Sequence, residues 1–143
     1  MQAIVTTLPL LAKLVLLDIG TNQTPCFETL LNHCDEVIVA TDPFPSSVLR
    51  TRQLIEDLGS LDFGKSKPLS VVSINRIRAD VQLSTIQMQE ILGVPIVQVI
   101  PAAPEIAFQA ANRNIPLIQV QIGGVVSQQF SNLADRLAQR VPL

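Results

Sequence analysis

The sequence predicts an α/β fold, with a mainly parallel β-sheet flanked by helices, in a single domain spanning residues 1–143. Four short apolar runs, at residues 14–17, 37–40, 69–74 and 96–100, are nearly continuous rather than alternating, as is typical of strands buried on both faces. Helical patterns separate these runs, and strands that alternate with helices form right-handed crossovers in a parallel sheet. Hydrophobic residues make up 48% of the chain and charged residues only 15%. This composition indicates either a doubly covered sheet or a surface that another segment or subunit covers.

The first two runs are each followed by an amphipathic helical pattern. A short helix is predicted around residues 27–34, after the run at 14–17. A longer helix is predicted at residues 46–58, where Val48, Thr51 and Ile55 recur on one face. Gly59 is the natural residue to end that helix, because glycine adopts the left-handed conformation of a helix C-cap without strain.

The next two helices have clear start and stop signals. Ser84 and Gln87 form a capping box that opens a helix ending at Gly93. Pro104–Arg113 begins with proline at the first helical position and stops at Asn114. Both helices therefore have predicted ends as well as a predicted apolar face.

The last stretch, residues 125–141, carries an apolar stripe that predicts a helix docked on the sheet. The alternative is a helix lying on a membrane surface, which needs a strongly basic polar face. Arg136 and Arg140 are its only cations, so docking on the sheet is favoured.

The segment Gly59-Ser-Leu-Asp-Phe-Gly64-Lys65-Ser66 matches the Walker-A pattern but lies in the wrong structural context. A phosphate-binding P-loop connects a strand to a helix, so that the helix N-terminus faces the phosphates. Here a helix precedes the match, while Pro68 and the strand-like run Leu69–Ile74 follow it. The segment is therefore predicted to be a structural connection rather than a nucleotide site.

The net charge and the cysteines allow predictions about the partners and the cellular location of the chain. The net charge is −2 with no basic cluster, so nothing indicates nucleic-acid binding. The apolar stretch at residues 4–17 has no basic region before it and is too short to cross a bilayer. Cys26 and Cys34 are then expected to be reduced thiols in a cytoplasmic protein, with peripheral attachment to the inner membrane as the alternative location.

Polar residues directly follow the apolar runs, where ligands bind in open α/β sheets. Asp18 ends the run at 14–17, as the Walker-B acid does beside Mg²⁺, although Asp is also a common turn residue. Asn75 ends the run at 69–74 and could bind the edge of an adenine or form an Asx-turn. Pro101 begins the loop after the last run. A ligand site at this edge and purely structural roles both remain open.

Together these motifs resemble the C-terminal half of the MinD/ParA superfamily of P-loop ATPases, most closely the CpaE-like pilus-assembly branch. The resemblance runs from about residue 14 to the C-terminus and implies a partial P-loop NTPase fold. It rests on an ordered series of motifs: Leu16-Leu17-Asp18-Ile-Gly, Cys34-Asp-Glu-Val-Ile-Val-Ala-Thr-Asp-Pro43, Val71-Val-Ser-Ile-Asn75-Arg76, Leu92-Gly-Val-Pro-Ile-Val-Gln-Val-Ile-Pro101 and Ala111-Asn-Arg-Asn-Ile-Pro-Leu117.

The resemblance implies ATP and Mg²⁺ as ligands and gives roles to particular residues. Asp18 matches the Walker-B acid, close to the metal and the attacking water, and Gly20 lies in the second switch. The implied contacts to the nucleotide come from Asn75, Arg76, Pro101 and Ala102, with Asn75 at the adenine and Pro101 and Ala102 in the loop over the base.

One element of the family pattern is missing from these 143 residues. The family's Gly-rich P-loop, with two lysines, lies upstream of the Walker-B strand, whereas residues 1–17 contain no glycine and a single lysine, Lys13. The match at residues 59–66 lies downstream of Asp18 and cannot replace that loop. ATP binding is therefore expected to be weak or absent, and this chain alone is expected not to hydrolyse ATP.

Three functional hypotheses remain. The chain is a portion of an ATPase for pilus assembly, partitioning or positioning of cargo, a degenerate non-catalytic interaction module, or an unrelated α/β binding domain. Without the upstream half, the sheet is expected to have an unpaired edge and uncovered apolar surface. We therefore expect self-association or a partner that covers the sheet.

Overall fold

The structure, a computed structural model, describes residues 2–20, 27–76 and 81–140. Within these ranges the chain alternates strands and helices after two initial helices, which confirms the predicted α/β class. The elements are α1 (Gln2–Leu11), α2 (Phe27–Asn32), β1 (Val37–Thr41), α3 (Pro45–Gly59), β2 (Leu69–Ile74), α4 (Thr85–Leu92), β3 (Ile96–Ile100), α5 (Pro104–Arg113), α6 (Leu117–Val120) and α7 (Val125–Ala138).

The three strands form one parallel sheet in the order β1-β2-β3. Val39 of β1 pairs with Val71 of β2, and Ile74 of β2 pairs with Ile100 of β3. The parallel order places the carboxyl ends of all three strands at one edge of the sheet. This edge carries the loops that contain Asn75 and Pro101.

Helices cover both faces of the sheet. On one face, Val39 and Val71 pack into a buried cluster with side chains of α2, α3 and α4, among them Leu31 and Met88. On the other face, the cluster is smaller and is centred on α7, with Val72, Ile100, Val126, Phe130 and Leu133. This placement confirms that the last helix docks on the sheet.

The local start and stop signals are confirmed where they were clearest. Ser84 Oγ accepts a hydrogen bond from the Gln87 N–H, and the Gln87 side chain accepts one from the Ser84 N–H, which is the predicted capping box. Gly93 and Asn114 end α4 and α5 with φ angles of 70° and 51°. The prediction for Gly59 is wrong by one residue, because α3 includes Gly59 and its cap is Ser60 in a right-handed conformation.

The prediction of a strand at residues 14–17 is also wrong. This run has no regular secondary structure, and Leu14 and Leu16 are 60% and 77% exposed. A strand needs a neighbour for its main-chain hydrogen bonds, and among the described residues no strand pairs with this run. The chain before it forms α1, a helix that the sequence analysis did not predict; its Val5 is buried.

Candidate functional site

The loops after β2 and β3 meet at the carboxyl edge of the sheet. The Asn75 N–H donates to the carbonyl oxygen of Ile100 at 2.9 Å, which holds Asn75 beside the start of the Pro101 loop. The Ser73 hydroxyl donates to Asn75 Oδ1 at 3.4 Å. The structure therefore brings Asn75 and the start of the Pro101 loop together at the carboxyl edge of the sheet.

The end of β1 contributes a second ordered loop to this edge. Asp42 Oδ1 accepts the Phe44 N–H at 3.2 Å, immediately before α3. The Pro43 carbonyl accepts the Leu83 N–H at 2.9 Å, which ties this loop to the segment that leads into α4. The carboxyl edge is thus fixed by main-chain bonds that cross between loops.

Arg76 and Ala102, the other residues expected at the base, lie beside these positions in the chain. Arg76 is exposed at the end of a described range, and Ala102 is half-buried after β3. The sequence analysis did not identify Ser73 as a site residue, although its hydroxyl donates to the Asn75 side chain. The spacing of two positions between Ser73 and Asn75 could have indicated this contact, since alternate residues of a strand share a face.

Asp18 lies beside β1 and lines a groove with residues 37–40, and Asn75 is not among the residues that line this groove. Its Oδ1 accepts the Gly20 N–H at 3.1 Å, and Gly20 has a φ of 61°, so the two residues form a tight Asx-type turn. Asp18 itself is exposed. Asp18, the residue predicted to be catalytic and to bind metal, thus lies in an exposed turn and accepts a hydrogen bond from the main chain of that turn.

A groove of about 290 Å³ lies between residues 17–20 and β1. Its lining is apolar except for Asp18 and includes β1 residues 37–40, so it follows the strand edge that β2 does not use. Side chains of α2 and α3 form its floor, namely Phe27, Leu31, Leu54 and Leu58. The groove is a space next to an unpaired strand edge.

The Walker-A match forms a closed connection, as predicted. The N–H groups of Ser60, Leu61 and the five residues 63–67 all donate to main-chain carbonyls of this segment, with Asp62 O accepting three of them. Phe63 is 2% exposed and belongs to the core, and Lys67 Nζ lies 5.1 Å from the centre of its ring. These N–H groups are occupied and cannot cradle a phosphate.

These observations test how well the site suits a magnesium nucleotide. The base side fits, because Asn75 and the Pro101 loop are held together at the carboxyl edge. The phosphate side does not fit within the described residues, because the N–H groups of residues 60, 61 and 63–67 in the Walker-A look-alike already donate to main-chain carbonyls. No three His, Cys, Asp or Glu side chains converge as a metal group in the same residues, so Asp18 would need oxygen ligands from the nucleotide and water.

Cys34 has the environment of a structural thiol. Burial raises the pKa of Cys34, an effect that nearby Lys67 opposes and Asp35 reinforces. Its Sγ donates to the Leu30 carbonyl at 3.2 Å. Cys26 lies outside the described residues.

Arg136 of α7 and Arg140, just beyond the end of that helix, bind residues of the sheet. Arg136 donates to the Val97 carbonyl of β3 at 2.6 Å, while Arg140 contacts Glu36 Oε1 at 2.6 Å and Ser70 Oγ at 2.8 Å. They therefore anchor the helix at the amino ends of the strands. In the part of the chain that the structure describes, no helix has both the length and the apolar character needed to cross a membrane.

Comparison with solved structures identifies the fold. A ParA family ATPase from Chlorobium tepidum matches with a TM-score of 0.68 and 18% identity, over 80% of this chain and 46% of that one. The MinC:MinD cell division complex of Aquifex aeolicus gives a TM-score of 0.69 and 24% identity, over 85% and 50%. Pyrococcus horikoshii MinD, the septum site-determining protein complexed with Mg-ADP, gives 0.64 and 20%, over 76% and 42%.

The chain therefore has the MinD/ParA-like α/β fold of P-loop NTPases and spans about half the length of these structures. Neither the protein-family models nor the curated proteins give a match.

Proposed function

We propose that this chain is the C-terminal portion of a MinD/ParA-like ATPase, closest to the CpaE-like branch, that acts in pilus assembly or in partitioning or positioning of cargo. The observation that carries this proposal is the fold match to MinD and ParA structures, with Asn75 joined to the loop after β3 at the expected edge. One of the matched proteins was solved with Mg-ADP, which supports a nucleotide as the ligand class.

In this proposal the chain supplies the base-binding side of a nucleotide site. Asn75 contacts the adenine, with Ser73 holding its amide, and Arg76, Pro101 and Ala102 border the base. Asp18 serves as the Walker-B acid and Gly20 allows its turn. A bound Mg-ATP would supply the phosphates and the metal, and Asp18 would accept hydrogen bonds from the metal's waters.

The same residues do not provide for hydrolysis. Phosphoryl transfer depends on donors placed around the β- and γ-phosphates, and the Walker-A look-alike uses its N–H groups internally. A P-loop would have to come from a segment other than these 143 residues. Alone, this chain is proposed to bind ATP weakly and to hydrolyse none.

Titration with fluorescently labelled ATP in the presence of Mg²⁺ tests the proposal. We expect a dissociation constant no better than high micromolar, weakened further by Asn75→Ala, and no phosphate release. Lys65→Ala is the matched control and should leave binding unchanged, because Lys65 lies in the closed connection. Low-micromolar binding that Asp18→Ala abolishes, or Mg-dependent turnover, would contradict the proposed loss of activity. No weakening by Asn75→Ala would contradict the base site.

A second candidate is a non-catalytic interaction module, favoured by exposed apolar side chains in residues 14–17 and in β1. Leu14, Leu16 and Ile38 are 60%, 77% and 39% exposed, although their sequence is typical of buried strands. A structural neighbour was solved as MinD with its protein partner MinC, which supports protein partnering. We propose that self-association or another partner covers these side chains.

The proposed location is the cytoplasm. Attachment at the inner membrane is the alternative, but α7 is an unsuitable anchor because Arg136 and Arg140 are bound to the sheet.

A further inference from the structure

Ser73 is a buried polar residue near the carboxyl end of β2. It is 2% exposed, and its hydroxyl oxygen lies 3.4 Å from Asn75 Oδ1 and 3.9 Å from Met88 Sδ. A buried hydroxyl needs an acceptor for its hydrogen, and a thioether sulfur is only a weak acceptor. The side-chain oxygen of Asn75 is therefore the favoured partner of the Ser73 hydroxyl.

Asn75 is held through both its main chain and its side chain. Its N–H donates to the Ile100 carbonyl at 2.9 Å, which fixes the main chain beside the loop after β3. Its side chain is half-buried, so part of it remains accessible at the carboxyl edge of the sheet. The freedom that remains is a half-turn of the amide, which exchanges the positions of Oδ1 and Nδ2.

The Ser73 hydroxyl opposes this half-turn of the amide. In the observed orientation the hydroxyl donates to a carbonyl oxygen. After a half-turn the hydroxyl would face an amide nitrogen, which accepts no hydrogen bond, and its hydrogen would be left with Met88 Sδ. The donor and the acceptor of the Asn75 amide are thus set in place before any ligand binds.

We infer that Ser73 is a positioning residue through which Asn75 discriminates between purine bases. This inference rests on the nucleotide site proposed above and concerns its selectivity. Oδ1 keeps a second lone pair and Nδ2 carries two hydrogens, so the fixed amide offers an acceptor beside a donor. Adenine has the complementary pair, a 6-amino donor beside a ring-nitrogen acceptor, whereas guanine has an oxygen acceptor at position 6.

A 6-oxo purine, such as guanine or hypoxanthine, does not match the fixed amide. Its oxygen would face Oδ1, and two acceptors cannot form a hydrogen bond with each other. Binding would then require the half-turn of the Asn75 amide and the loss of the Ser73 contact. The site is therefore selective for a 6-amino purine, and Ser73 contributes to that selectivity without touching the base.

Titrations with ATP and with ITP, the hypoxanthine nucleotide, measure this selectivity on the full chain in the presence of Mg²⁺. The two nucleotides have the same phosphates and sugar, so the ratio of their dissociation constants reports on the base. NMR detection gives access to constants in the millimolar range. We expect the unchanged chain to prefer ATP, and Ser73→Ala to reduce this preference about three- to tenfold, as the loss of one hydrogen bond implies.

Ser70→Ala is the matched control. Ser70 also belongs to β2 and is 1% exposed, but its hydroxyl donates to Glu36 Oε1 at 3.0 Å, towards the other end of the strand. The substitution removes a buried hydroxyl of the same strand and should leave the preference for ATP unchanged. An equal reduction in Ser70→Ala would overturn the inference, because it would reflect a general effect on the fold.

Nitrogen-15 relaxation of the Asn75 side-chain amide tests the positioning without a nucleotide. We expect its order parameter to fall in Ser73→Ala and to stay unchanged in Ser70→Ala, with circular dichroism confirming that both variants are folded. An unchanged order parameter in Ser73→Ala, or ATP binding with an unchanged ATP-to-ITP ratio, would contradict the role of Ser73 alone. Failure of both nucleotides to bind the unchanged chain would contradict the proposed base site itself, and the selectivity with it.

Discussion

The Walker-A look-alike offers a direct test of whether a sequence match or its structural context decides function. Lys65 would be the phosphate-binding lysine of a true P-loop, whereas in this fold it is exposed. Phe63, a residue that the Walker pattern leaves unspecified, is 2% exposed within the main core. The Walker-A motif indicates that Lys65→Ala would be the damaging substitution and Phe63→Ala a harmless one. From the structure we expect the reverse: Phe63→Ala destabilises the fold and Lys65→Ala has little effect.

The magnitudes follow from burial. Replacing a fully buried phenylalanine by alanine costs about 3–5 kcal/mol in the free energy of unfolding. Loss of the contact between Lys67 and the Phe63 ring adds roughly 0.5–1 kcal/mol. Lys65→Ala should change the free energy by less than about 0.5 kcal/mol, as is usual for an exposed position.

Urea unfolding followed by circular dichroism measures both effects, with thermal unfolding as a second measurement. At roughly 3 °C per kcal/mol for a domain of this size, Phe63→Ala should lower the Tm by about 10–18 °C and Lys65→Ala by less than about 2 °C. The reasoning fails if Phe63→Ala costs less than about 1 kcal/mol. It also fails if Lys65→Ala removes ATP binding, because that result would restore the P-loop interpretation.

Two further predictions concern contacts between distant parts of the chain. Glu36→Gln and Arg140→Gln, combined in a double-mutant cycle of unfolding free energies, should give a coupling energy of about 1 kcal/mol. This coupling should decline in 1 M NaCl, because Arg140 is partly exposed and salt screens the pair. The absence of coupling would mean that this contact does not hold α7. Burial raises the pKa of Cys34 above its ordinary value. The neutral thiol is therefore favoured in the folded state, so this contribution to stability is complete below the ordinary thiol pKa and is lost as the pH rises through the raised value. Cys34→Ala should make the loss of stability above the ordinary thiol pKa shallower, and an unchanged pH profile would contradict the assignment.

Sequence patterns predicted most of the local structure. The capping box at Ser84 and the helix ends at Gly93 and Asn114 were confirmed because each depends on residues within a few positions of one another. The strands β1, β2 and β3 were predicted to within a residue, because continuous apolar runs between helices have few other arrangements. The ordered motifs also led to the MinD/ParA-like fold, which the structural matches bear out.

The candidate site was predictable only in part. The parallel sheet brings Asn75 and Pro101 to one edge, as the order of strands and helices implied. The assigned roles of Asp18, Gly20, Asn75, Arg76, Pro101 and Ala102 remain predictions, since they depend on a ligand and on how loops approach it.

The sequence by itself determined helices α2 to α5 and α7 and the runs that can be strands, because helix caps and side-chain periodicity act over short distances. Only the tertiary structure decided that residues 14–17 are not a strand, since pairing depends on a neighbour that the sequence of the run does not contain. It likewise decided that the N–H groups of the Walker-A look-alike are occupied and that Arg140 binds Glu36, 104 positions away along the chain. Such contacts arise from the packing of whole elements, and the distance along the chain hides them from any local pattern.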